Sequence, residues 1–252
     1  MTQNIPVRPQ PFLYINGLVV SNNATTPDEI VDLSAGQCRD SNDVMDIVLD
    51  EAVEIDSTVV GAINGLDQGT LAASKVYAIY AIGDSSNKKP AAGLLSLASN
   101  ASPLMPFGYD SYRLVGYVLT DSAVDFLLHI MSGNNNYRLF TLDVPIATAV
   151  TAGNSATYAD VALDTFVPRV ANLPVLIECN WTANAAADTL ALHARNATGD
   201  TVKYIAGVAG ATAHTLVRDY VQAQLDTGLP EIQYKVSAGT VAINVAGFQF
   251  FV

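Results

Sequence analysis

The sequence predicts an all-β protein: two antiparallel β-sandwich or jelly-roll-like domains behind a short extended N-terminal arm. Three observations carry this. Apolar runs are strand-sized and rich in β-branched and aromatic residues. Turn-forming Gly, Asn, Asp and Pro recur at the spacing of sandwiches and barrels. Pro6, Pro9 and Pro11 crowd the first eleven residues and oppose both helix and central strand there. The expected division is an arm over 1–11, a β domain over 12–145 and a C-terminal β-sandwich over 150–252.

The elements follow in order. Phe12 to Ile15, Asn16-Gly17 and Leu18 to Val20 read as a two-residue hairpin with apolar flanks. Val44 to Thr58 alternates loosely. A helix over Asn42 to Glu54 is the alternative, and the β-branched residues favour strand. Asn64-Gly65 is a second turn signal. Lys75 to Ile82 is the clearest buried strand, and Gly83 to Pro90 is a polar loop. Ala92 to Ser96, Arg113 to Leu119 and Ala123 to Met131 read as further strands. A domain boundary is expected between Ser132 and Ser155, with Thr148 to Ser155 as linker or long loop. Beyond it the expected strands are Ala159 to Leu163, Val175 to Trp181, Thr189 to Ala194, Val202 to Ala206, His214 to Val221, Ile232 to Ser237 and Val241 to Val252. The last of these alternates and is aromatic, so it must be paired or covered to avoid acting as an aggregating edge.

Composition narrows the function. Half of the 252 residues are hydrophobic and only 14% are charged, against about 25% in an ordinary soluble domain. A chain this poorly charged hides surface against copies of itself or a partner. The net charge of −12 opposes a nucleic-acid partner, which needs clustered Lys and Arg. Ten acids lie between Asp28 and Asp56, with Arg39 the one base among them. They read as a solvated face, a dock for a basic partner, or a calcium site at Asp40, Asp43 and Asp46, whose spacing is not that of an EF-hand. The longest apolar runs fall far short of the roughly 20 residues of a spanning helix. The N-terminus lacks the features of a secretory signal, so synthesis in a cytosol is expected. Cys38 and Cys179 are then expected to be free buried thiols.

Catalytic signals are sparse. His129 lies in an apolar stretch, and His193 and His214 fall on separate expected strands without a neighbouring motif. No nucleophile elbow, zinc signature or phosphate loop occurs. Four glycosylation sequons, at Asn23, Asn100, Asn180 and Asn196, read as chance in an Asn- and Thr-rich chain. No cofactor and no metal are expected. Glycan hydrolysis by two carboxylates is the lesser enzymatic alternative, with no pair singled out.

The stretch Asn64-Gly-Leu66-Asp67-Gln-Gly69 to Tyr80 is followed by Leu94-Leu95-Ser96, Pro103-Leu-Met-Pro106-Phe-Gly108-Tyr109, Tyr112-Arg113-Leu-Val-Gly116 and Thr120-Asp121. In order and spacing, over about residues 64 to 126, it resembles a pattern of tail-fibre and other virion proteins of tailed bacteriophages. Asp160 to Pro168 and Tyr234 to Gly239 are similar, more faintly, to a β-sandwich module that can follow it. The chain departs from long tail fibres in having no heptads or fibrous repeats. The resemblance implies a homo-oligomeric virion protein, made in the host cytoplasm, that binds capsid or tail proteins; a trimer is favoured and a dimer stays open. Candidate partner contacts are Pro6, Arg8, Pro9 and Phe12 in the arm, and Phe248, Phe250 and Phe251 in the terminal strand. Tyr109, Tyr112 and Trp181 form a candidate aromatic surface. A host-glycan receptor-binding module is the alternative function.

Overall fold

A computed structural model describes residues 14–86, 88–98, 102–133, 137–143, 147–185, 188–194, 203–206, 214–226 and 228–251. The protein is all-β, and no helix occurs among the described residues. In chain order the strands are β1 (Ile15–Gly17), β2 (Val20–Asn22), β3 (Ile30–Leu33), β4 (Gly36–Arg39), β5 (Asp46–Leu49), β6 (Val53–Val60), β7 (Gly65–Leu66), β8 (Val76–Gly83), β9 (Ala92–Leu97) and β10 (Ser111–Leu119). They continue as β11 (His129–Gly133), β12 (Tyr137–Leu142), β13 (Ala147–Gly153), β14 (Ala159–Ala162), β15 (Leu173–Thr182), β16 (Thr189–Ala194), β17 (Lys203–Ala206), β18 (His214–Asp226), β19 (Leu229–Val236) and β20 (Thr240–Phe251).

These strands form three sheets. A small one runs β1-β4-β5, and a seven-stranded one runs β10-β8-β9-β7-β6-β3-β2. The largest runs β11-β12-β20-β15-β18-β19-β16-β17, with β13 also on β20 and β14 also on β19. Pairing is antiparallel except where the two-residue β7 lies parallel to β6 and β9. Buried side chains from all three sheets join in one connected apolar cluster.

The acidic stretch forms strands, not a helix. Ile47 and Leu49 on β5 and Ile55 on β6 alternate inward while the acids between them face out, the period-2 pattern of a half-buried strand. The strand expected over Lys75 to Ile82 is β8, one residue later: Lys75 is exposed, and every residue from Val76 to Gly83 is buried. Gly108 has φ 81, a conformation that costs other residues more, and it closes the Pro106 turn.

Four expectations are corrected. Asn16-Gly17 is not a hairpin, because β1 pairs with β4 and β2 with β3. Gly17 and Leu18 both take positive φ, 69 and 52, and carry the chain from one sheet to another. Ile15, Leu18 and Val20 are all buried around that corner. Second, residues 148–155 do not make a linker: Ala147–Gly153 is β13, paired with β20. Its small residues let it lie close against the ring of Tyr234. Third, of Ala123 to Met131 only the end is strand. Asp121 accepts from the backbone amides of Ala123 (2.7 Å) and Asp125 (3.0 Å) and holds a turn there. Fourth, β12 was not expected. With β11 it belongs to the sheet of the C-terminal strands, so pairing crosses the expected division at 145–150.

Two features join the sheets. β20 pairs with β13 through its first half and with β12 through its second, keeping β15 on its other side. The change falls at Gly247, where a Cβ would lie 2.1 Å from the Phe140 carbonyl oxygen; only glycine allows that approach. Arg138, on β12, reaches out of its own sheet. Its guanidinium donates to the carbonyls of Leu18, Val115 (2.7 Å) and Gly17 (2.6 Å). Val115 sits at the bulge of β10, so one side chain ties the β1–β2 corner, the seven-stranded sheet and the largest sheet together.

Candidate functional site

The alternation of the largest sheet decides which residues can meet a partner. On β20, Phe248 and Phe250 point inward and are buried, while Phe251 is 77% exposed. Tyr137 stands opposite Phe251 on β12, and Ile130 stands opposite Thr141 on β11. Ile130 is 60% exposed, and Tyr137 and Leu128 are also exposed. Tyr220 on β18 faces Leu176 on β15. Its hydroxyl is raised above the usual value, first by burial and then by Tyr137 nearby, which places the two tyrosines in one patch. The outer corner of the sheet therefore carries exposed aliphatic and aromatic side chains among Ser132, Thr141 and Gln249. Toward its middle the same face becomes ionic, with Arg218 donating to Glu178 at 2.6 Å.

The inner face is a ring cluster. Phe140 stacks on Phe248 at 4.9 Å, and His129 stacks on Phe140 at the same distance. Tyr117 of the seven-stranded sheet meets Phe248 and Phe250 edge-on at 5.6 and 4.8 Å. Such pairs add about 0.5–1.5 kcal/mol beyond their buried area. Phe248 and Phe250 are thus corrected from partner contacts to core residues of this chain, because β20 turns them toward Tyr117. Of the candidate contacts in the terminal strand, Phe251 alone is exposed. Pro6, Arg8, Pro9 and Phe12 lie outside the described residues.

The expected aromatic surface is corrected as well. Trp181 is fully buried, and its Nε1 donates to the Ala238 carbonyl at 3.2 Å. Tyr109 is buried, and its hydroxyl donates to the Pro90 carbonyl at 2.9 Å. Tyr112 is half-buried and meets Tyr80 edge-on at 5.6 Å. The exposed ring of that region is Phe107, 96% accessible at the tip of the Pro103–Tyr109 loop. Lys89 braces the tip: its Nζ donates to the Phe107 carbonyl at 2.6 Å and lies about 5 Å from the Phe107 and Tyr109 ring centroids. The sequence signal for Phe107 is its place between Pro106 and Gly108, where a turn pushes the intervening side chain outward. For Tyr137, Leu139 and Thr141 the signal is period-2 alternation, short enough to be lost beside the Gly-Asn run that precedes it.

The titratable groups are quiet. Burial pushes the thiols of Cys38 and Cys179 up to about 12, so both free cysteines stay protonated at neutral pH. Burial holds His129 near 4, against a weaker raising effect of the Leu127 carbonyl. His193 is buried against the edge of Tyr158 at 4.1 Å with neither ring nitrogen hydrogen-bonded. The side chain of His214 lies outside the described ones. In the acidic segment Asp40 accepts from the amides of Val44 (2.6 Å) and Met45 (2.9 Å), and Arg39 pairs with Asp43 (3.0 Å) and Asp46 (3.1 Å). These contacts engage all three carboxylates of the suspected calcium site. No group of three or more His, Cys, Asp or Glu among the described residues is placed to hold a metal. No described helix is long and apolar enough to cross a membrane.

No family model, no curated protein and no solved structure matches the chain.

Proposed function

We propose that the chain is a non-enzymatic structural protein of a tailed-phage particle, a homo-oligomeric appendage or decoration that binds capsid or tail proteins. The observation that carries this reading is the set of exposed apolar side chains on the outer face of the largest sheet, Phe251 beside Tyr137 and Ile130 further along β11. Large apolar groups left exposed on one face suit an interaction site; here Ser132 and Gln249 stand among them, and the Arg218–Glu178 pair lies further along the same face. The low charge of the chain, 14%, supports a protein that covers its surface with copies of itself; a trimer is favoured over a dimer.

The phage assignment draws on the resemblance over residues 64 to 126. Its linked residues are those that hold turns together. Asp67 accepts from Ser96 Oγ (2.6 Å) and the Leu104 amide (2.9 Å). The Thr120 hydroxyl donates to the Ala72 carbonyl (2.7 Å) and accepts from the Lys75 amide (3.0 Å). Turn-holding contacts of this kind are what related chains of a shared fold need in the same order.

Analytical ultracentrifugation of the wild type and of an Ile130→Asp/Phe251→Asp double variant tests the reading. The wild type is expected to sediment as an oligomer and the variant as a folded monomer with little change in melting temperature. A wild type that stays monomeric and binds no capsid or tail protein sinks it.

A host-glycan receptor module is the second reading, favoured by Phe107 standing almost fully exposed on a braced loop. It predicts saturable binding to host surface polysaccharide that Phe107→Ala weakens. Silence of the wild type on a glycan array and on whole cells removes it.

A further inference from the structure

The cleft between the β1–β2 corner and the paired β11 and β12 has a volume of about 350 Å³ and is lined by Asn16, Gly17, Val19, Met131, Ser132 and Arg138. Arg138 is its one charged group, and it is only 5% exposed. A guanidinium carries five N–H donors. Nη1 donates to the Leu18 and Val115 carbonyls and Nη2 to that of Gly17. Among the described residues, Nε–H and the second hydrogen of Nη2 have no acceptor, and no carboxylate pairs with this side chain. Three neutral carbonyls orient the group without cancelling its charge. A buried charge without a counter-ion is costly, and this one occurs in a chain of net charge −12. Arg113 is buried as well, and together with Arg138 it lowers the Cys38 thiol against the larger raising effect of burial.

We propose that this cleft binds a carboxylate on the remaining edge of the Arg138 guanidinium. Nε–H and Nη2–H form the parallel fork that matches two carboxylate oxygens. The three carbonyl bonds fix the plane of the fork in advance, so little side-chain freedom is lost on binding. Val19 and Met131 line the walls with apolar surface, which suits an aliphatic stem behind the charged head. A single open fork with no second arginine lining the cleft favours a planar anion of one charge over a phosphate. The ligand class is thus an alkyl carboxylate, either free or carried on a glutamate side chain.

The test follows the Arg138 Nε–H resonance of the ¹⁵N-labelled full chain during titration with acetate, capped glutamate and inorganic phosphate at fixed ionic strength. The expected result is a saturable shift with acetate and with capped glutamate. Tighter binding of capped glutamate assigns the site to a chain-borne acid, and equal binding assigns it to a free small carboxylate. Val19→Trp, at an exposed position on the cleft wall, should abolish the shift while the backbone spectrum is retained. Arg138→Lys keeps the charge without the fork and, followed through the backbone amides of Gly17 and Met131, should weaken binding about tenfold. A linear drift without saturation, an equal shift in Val19→Trp, or tighter binding of phosphate than of acetate overturns the proposal. If either variant fails to fold, saturation in the wild type decides alone.

Discussion

Strands β8 and β19 are each eight residues long, and they are built by opposite rules. β8 reads Val-Tyr-Ala-Ile-Tyr-Ala-Ile-Gly and is buried at every position. β19 reads Leu-Pro-Glu-Ile-Gln-Tyr-Lys-Val and is buried at every second position. The first is central in a sheet covered on both faces, so both sets of side chains leave water. The second has one covered face and one wet face, so its polar residues alternate outward. The largest sheet thus carries a broad wet face on which a large exposed apolar residue, where it does occur, stands out. Phe251, Ile130 and Tyr137 are such residues, and that is why the docking surface is read from this sheet and not from the more apolar one.

The contrast can be broken most severely at Trp181, the largest fully buried side chain of the inner face. Trp181→Ala is expected to cost about 3–5 kcal/mol, read from a urea melt. A loss below about 1 kcal/mol would mean that the inner face is not the core of that sheet.

Acid sharpens the same contrast, because His129 belongs to the inner ring stack. Its folded value is about 4 and its ordinary value is 6.5. Between these two pH values the unfolded chain binds a proton that the folded chain refuses. Stability is therefore whole above pH 6.5 and falls as the pH drops toward 4, by about 3 kcal/mol in all. His129→Phe, which keeps a ring on Phe140, should flatten the profile in that window when stability is measured at half-unit steps. An unchanged slope would assign the loss to other groups.

The smallest expected effect lies in the doubly covered sheet. Ser96→Ala removes the hydroxyl donor to buried Asp67, whose other oxygen already has no partner. The Leu104 amide still donates to the same oxygen, so a loss of about 1 kcal/mol, that of one hydrogen bond, is expected, visible as a lower midpoint with an unchanged m-value. A neutral result would show that water serves Asp67 instead.

Much of this architecture was legible in the residues. β8 announced itself as an unbroken apolar run, and the end of β20 as an alternating one. What escaped was decided by partners far away in the chain. Asn16-Gly17 carries every local mark of a hairpin, yet Gly17 and Leu18 turn the chain into another sheet because β4 and β3 are the strands waiting on either side. The small residues of β13 look like linker until β20 supplies their hydrogen bonds. Phe248, Phe250 and Phe251 are chemically alike, and only the inward side of β20, set by Tyr117, separates two core residues from one surface residue. The buried Arg138 gave no local sign at all, since its three acceptors are backbone carbonyls up to 121 residues away.

That long reach bears on how the protein comes to fold. β20 supplies edges to β12, β13 and β15 alike, and Arg138 cannot dock until the β1–β2 corner, 120 residues upstream, is in place. Topologies dominated by such distant pairings close slowly, because loop entropy is lost before the contacts that offset it are made. Until β20 arrives, β12 and β15 present bare edges, and the net charge of −12 is what keeps copies apart. Assembly of this protein is thus a race between its own final strand and the strands of its neighbours.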